Sequence, residues 1–254
     1  MIILDIFRRF LKEQEKTKKW SLVKEIIMKR VATLIDKILS GLHLDWDSTL
    51  NLIREHNSAI TRQEQETRKV LIAAIENIID FATAEENKML IDIQTHLNNE
   101  DLKTCEKIFE KYNKTYAQSE DKDVEYAALI ASWWIQIPNE SVITYMTQGD
   151  ERVRASHLSL EGVSYPKRSF PNELIPPIDF GCRCFLISNG FSSAHATLPF
   201  DQSRQVNKIF QESLATGGKI FSEHHPYFKE KLHEEIEVIN QKLKRKILYH
   251  ENNP

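Results

Sequence analysis

Two cysteines one residue apart, Cys182 and Cys184, and one histidine, His157, are the residues best suited to hold a metal ion in this chain. Thiolate and imidazole suit zinc, and cysteines at i and i+2 of a strand point to one face. Asp179 or His195 can supply a fourth ligand. Four protein ligands leave no open position for water, so such an ion is expected to be structural, and no other cofactor is expected. The competing reading is that two small buried side chains simply pack a strand, since free cysteine is commonly core and C-x-C is not the usual zinc spacing.

Arg152, Arg154 and Arg183 form a second group. Beside Asp150, Glu151 and Glu161 they read first as charge-assisted pairs that fix a loop. Their alternative is nucleic-acid binding through phosphate contacts, which would weaken steeply with salt. A third arrangement describes an enzyme. His157 and Glu161 stand at i, i+4 and share a face if helical, and histidine with a carboxylate is the minimum for general acid–base chemistry. Arg152 or Arg154 would then stabilise a phosphoryl transition state, as in a metal-free, toxin-like nuclease or nucleotide-modifying protein. The chain has no Walker motif, Rossmann glycine pattern, H-E-x-x-H or G-x-S-x-G.

The elements that must position these groups lie between Val142 and Leu186, a stretch holding three of the seven glycines, four of the eight prolines and two of the three cysteines. VITYMTQ is β-branched and aromatic and predicts a strand, closed by a turn at Gly149-Asp150. A short polar helix or loop follows with Arg152, Arg154 and His157, ended by Gly162. A proline-interrupted segment crosses the surface, and Pro176-Pro177 leads into a second strand over Cys182-Arg183-Cys184-Phe185-Leu186-Ile187.

A strand, then GDERVRASH, a glycine turn, a Phe-Pro, a Pro-Pro and CRC resembles the C-terminal domain of the bacteriophage Mu protein F-like family, over roughly residues 125 to 190. A weaker echo lies at Gly217-Gly218-Lys219-Ile220-Phe221 and at His225-Pro226-Tyr227-Phe228. Members often carry a histidine shortly before CRC, where the nearest polar residue here is Asp179. The resemblance implies a minor head, or head-morphogenesis, protein of a tailed phage or prophage. It implies portal and capsid proteins as partners, with packaged DNA as a further candidate, and a location in the bacterial cytoplasm during assembly and then in the virion interior.

The formal net charge of −3 gives no global signature for nucleic acid, although residues 1–40 hold ten Lys or Arg against five Asp or Glu. No apolar run approaches the eighteen or so residues of a membrane helix, so no membrane partner is expected. MIILDIF, interrupted by Asp5 and followed by Arg8-Arg9, reads as a helix start rather than a signal peptide. Three cysteines make no secreted disulfide framework, which points to a reducing compartment.

Apolar residues at three-to-four spacing predict helices throughout the first half. Residues 5–40 form one long or two consecutive helices with Gly41 as a stop. Another begins after Asp45 or Asp47 with Leu50, Ile53 and Ile60 on its stripe, and the most apolar runs from Val70 to Phe81. Thr83 and Glu86 suggest a capping box for a new helix, broken at Asn98-Asn99. Leu102 to Tyr116 makes one more. AQSEDKD, residues 117–123, is the expected boundary. Val124 to Trp134, Gln202 to Leu214 and Tyr227 to Leu248 are predicted helices. The fold class is therefore α+β: a helical domain over residues 1–120 and a small mixed α/β domain over 121–254.

Overall fold

The computed structural model describes residues 2–54, 61–188 and 206–249. It is mostly helical with one small antiparallel sheet, an α+β fold. The helices are α1 (Ile2–Lys12), α2 (Lys16–Leu42), α3 (Trp46–Arg54), α4 (Arg62–Asn98), α5 (Leu102–Glu110), α6 (Ala117–Gln136), α7 (Ala155–Leu158) and α8 (Glu234–Lys244). The strands are β1 (Val142–Met146), β2 (Ser164–Pro166) and β3 (Phe185–Ser188). No described helix is long and apolar enough to cross a membrane.

The chain folds as two compact units, each built from separate segments. The first takes residues 1–36, 75–121 and 223–254, and the second takes 37–74 and 122–222. Helices α2, α4 and α6 contribute residues to both.

In the first unit Phe7 stacks on Phe109 with ring centroids 4.1 Å apart, and Phe81 meets Tyr227 at 5.4 Å. The expected new helix at Thr83 does not form, because α4 runs through it. The Thr83 hydroxyl donates to the Ile79 carbonyl at 2.8 Å, satisfying itself inside a continuous helix rather than capping a new one. Glu86 consequently points into the core. Residues 117–123, expected as a domain boundary, open α6, and Glu120 is buried. Their charge is taken up by Arg30, which donates from Nε to Glu85 (2.7 Å), from Nη2 to Glu120 (3.2 Å) and from Nη1 to Asp121. Tyr227 donates to the other Glu120 oxygen at 2.8 Å. The last helix begins later than expected: a short 3-10 turn occupies Pro226–Lys229, and α8 starts after His233.

The second unit holds the sheet, in the order β2-β1-β3, with Ile143 opposite Tyr165 and Met146 opposite Phe185. Gly41 is not a helix stop. A Cβ there would lie 2.5 Å from the Glu125 carbonyl oxygen and 2.6 Å from Ala128 Cβ, so the residue lets α2 pass close to α6. The turn is made by His43, at φ +56°. Thr61 and Glu64 form a reciprocal capping box at the start of α4. Asp45 caps α3 by accepting from Ser48 N–H at 2.7 Å, whereas Ile60 lies outside the described residues. The helix expected over Gln202 to Leu214 is absent from its described part, residues 206–214. Asn207 and Ser213 each accept from a backbone N–H two residues on, turning the chain into short 3-10 pieces.

Candidate metal centre

His157 sits on α7, a single turn whose backbone N–H at His157 returns to the Arg154 carbonyl at 2.9 Å. Gly149 and Gly162, at φ +67° and +82°, supply the left-handed turns on either side of it. Leu160 and Val163 are buried and anchor the segment, and the Gly162 N–H donates to the Tyr145 carbonyl at 2.9 Å. The loop is thereby tied to β1, and His157 is held in the interior, 5% exposed.

The cysteines arrive from the other side of the motif. They do not lie in a strand as expected: β3 begins only at Phe185, where pairing with Met146 starts, and Cys182 and Cys184 occupy the irregular chain before it. Both are nonetheless buried, and both sulfurs face the same ring nitrogen. His157 Nδ1 lies 3.3 Å from Cys184 Sγ and 3.8 Å from Cys182 Sγ, and one ligand atom from each residue falls within 4.8 Å of the others. Zinc–sulfur and zinc–nitrogen bonds of about 2.3 and 2.0 Å at a tetrahedral angle place N and S roughly 3.5 Å apart. The two observed separations straddle that value, so this group can hold a metal ion.

Electrostatics favour one thiolate. Cys184 is brought down to about 7, chiefly by a hydrogen bond from Cys182, with the Tyr145 hydroxyl and the positive charges of Arg154 and Arg183 helping against burial. Cys182 is pushed up by that same hydrogen bond and by desolvation. Metal binding needs deprotonated sulfur, and the first proton is already loosely held.

Asp179 faces the opposite edge of the imidazole. Its Oδ2 lies 4.0 Å from His157 Nε2 and 3.3 Å from Arg154 Nε, while Oδ1 accepts from Asn207 Nδ2 at 2.7 Å and Phe180 N–H at 2.9 Å. It therefore lies outside the group of ligand atoms, on the side of the ring's second nitrogen, where its charge rather than a hydrogen bond faces the imidazole. His195 lies outside the described residues.

The arginines form the pairs expected of a loop-fixing set. Arg183 makes a bidentate fork onto Asp150, at 2.8 and 2.6 Å, and Arg154 donates to the Phe180 carbonyl at 2.7 Å as well as pairing with Asp179. Arg152 is exposed and contributes its backbone N–H to Asp150 at 3.1 Å. α7 ends at Leu158, so Glu161 never joins His157 on a helical face; it is exposed and accepts from the Thr147 hydroxyl.

Three neighbours of the cysteines gave no signal in the sequence. Tyr126, within the helix predicted from Val124 to Trp134, donates from its hydroxyl to the Cys184 carbonyl at 2.5 Å. Tyr145 is buried beside Cys184. Asp123 is 1% exposed, and its Oδ1 accepts from the Gly181 N–H at 2.8 Å. It sat in a charged run that reads as solvated, and only the burial of α6 reveals it.

No family model and no solved structure matches the chain. A stretch of 46 residues, 18% of the chain, is 50% identical to an uncharacterized protein of Methanocaldococcus jannaschii and covers 7% of that protein's length.

Proposed function

We propose that this chain is a minor head protein of a tailed phage or prophage, a structural and binding component of head assembly. In this reading residues 142–188 are locked by a structural zinc ion on His157, Cys182 and Cys184. The observation that carries it is the convergence of the pieces that resemble the Mu F-like family. GDERVRASH and CRC, separated by more than twenty residues in sequence, meet at one buried His/Cys/Cys group instead of standing as scattered surface residues. A structural zinc there would cross-link the loop after β1 to the chain entering β3, with apparent stabilisation on the order of 10 kcal/mol.

The pairing of Arg154 and Arg183 with acidic partners, and of Glu161 with Thr147, supports a scaffold over a catalyst. Portal and capsid proteins are the partners this role requires, with packaged DNA as a further one. The location would be the bacterial cytoplasm during assembly and the virion interior afterwards. Quantitative mass spectrometry of DNA-filled particles induced from the source strain tests the reading. A few copies per particle beside the major capsid and portal proteins is the expected result, and absence from both filled and precursor heads refutes it.

A further inference from the structure

We infer that Asp123 is the fourth ligand of the metal centre, completing a site of two cysteines, one histidine and one aspartate; the inference rests on the zinc reading above. Three ligands leave a structural zinc incomplete, since such sites close with four protein groups. Asp179 is turned to the far edge of the imidazole, and its two oxygens are engaged by Arg154, Asn207 and the Phe180 N–H. The Tyr126 hydroxyl is committed to the Cys184 carbonyl. Tyr145 is a neutral phenol beside Cys184, suited to donate a hydrogen bond to a thiolate rather than to replace one.

Asp123 differs from Asp179 and Tyr126 in having an open oxygen, and from the Tyr145 hydroxyl, which also lacks a partner, in being a carboxylate. Its Oδ1 is fixed by the N–H of Gly181, the residue immediately before Cys182, so the carboxylate is held at the root of the CRC segment. Its Oδ2 is buried and has no hydrogen-bond partner among the described residues. A buried carboxylate with an open oxygen, whose charge is felt by Cys182 and Asp179, is unfavourable unless something positive meets it. A divalent cation would satisfy the orphaned oxygen and both sulfurs together. Asp123 is not among the atoms already within 4.8 Å of one another, so its carboxylate must close in on the ion when it binds.

Charge balance gives the arginines a part in the same site. Two thiolates, one carboxylate and a neutral imidazole around a divalent ion leave one net negative charge. Arg154 acts on both Asp123 and Cys184, and Arg183 acts on Cys184. They offset that charge from outside the ligand shell.

Cobalt spectroscopy and zinc competition on the reduced full-length chain decide the matter. The wild type should take up one Co2+ with the ligand-field bands of a tetrahedral site and sulfur-to-metal charge transfer from two thiolates. Asp123→Asn should weaken Zn2+ binding, measured against a chromophoric chelator, by more than about 100-fold, whereas Asp179→Asn should stay within the roughly 10–100-fold of an outer-shell partner. Because a buried substitution can disturb folding, Asp123→Cys is the decisive variant: a third thiolate should raise the charge-transfer absorbance by about half, a gain that no merely structural role produces. An Asp123→Cys protein that binds Co2+ with unchanged charge transfer overturns the assignment of Asp123 while leaving the zinc site standing. A wild-type chain that takes up neither ion overturns both.

Discussion

Glu86→Gln should stabilise the protein, and by an amount that grows with pH. Glu86 is 1% exposed, and neither of its oxygens has a hydrogen-bond partner among the described residues. Burial first, and then the neighbouring Glu85 charge, push its carboxyl up to about 8, against weaker opposition from the Asn113 amide, which is near it but donates to Met89 Sδ instead, and from the Arg30 charge. Between its unfolded value of about 4.5 and 8 the folded state keeps a proton that the unfolded state has lost, so stability falls as pH rises through that window. One pH unit there corresponds to about 1.4 kcal/mol, and at pH 7 the accumulated penalty is about 3 kcal/mol. Glutamine has the same shape and no proton to lose, so it should recover that amount.

The assay is urea unfolding of wild type and variant at intervals from pH 6.5 to 8. That range avoids His225, which burial holds down at about 4 and which contributes the opposite slope below about 6.5. Glu120, raised to about 8 mainly by burial, keeps a slope of its own in both proteins. The variant should therefore lose only part of the wild-type pH dependence, about 1 kcal/mol per unit. Identical slopes in the two proteins, or a variant less stable at every pH, would refute the reasoning that Glu86 is a buried acid without a partner.

Gly41→Ala should destabilise by about 1–3 kcal/mol in denaturant unfolding, because its Cβ would meet the Glu125 carbonyl oxygen at 2.5 Å, a backbone atom that cannot rotate away. Arg30→Ala should cost about 3–5 kcal/mol, since it strands the carboxylates of Glu85 and Glu120 in the core. Arg183→Ala, which breaks an exposed pair, should change stability by no more than about 1 kcal/mol in the same experiment. Stripping metal from purified protein with a chelator should lower the melting temperature, and His157→Ala should melt near the stripped protein and respond little to chelator. An unchanged melting curve in the wild type would count against the zinc.

The strand at Val142–Met146 was legible because a β-branched run has few other uses, and the glycines around His157 were legible as turns. The meeting of His157 with both cysteines followed from residue type, although the strand expected to present them starts one residue after Cys184. What misled was charge. Residues 117–123 look solvated, yet Glu120 and Asp123 are buried because Arg30 comes from 90 residues away and the Gly181 N–H from 58. Local pattern cannot contain a partner at that distance. The Thr83–Glu86 spacing failed for a related reason: a capping box and a mid-helix threonine have the same letters, and only packing against the flanking helix decides between them. β2 was unreadable because Ser164–Pro166 acquires its strand character solely from pairing with Val142–Thr144.

The division of the chain into interleaved segments has a consequence for synthesis. The second unit has all of its residues once translation reaches Ser222, whereas the first still lacks Glu223 onward, including the Tyr227 that donates to Glu120 and the α8 helix whose Asn240 donates to Asp80 and Thr83. During synthesis the earlier segments of the first unit must therefore wait for its last one, with the face of Phe81 that meets His225, Tyr227 and Phe228 uncovered in the meantime. The order of emergence makes a ribosome-associated chaperone more useful for the first unit than for the second.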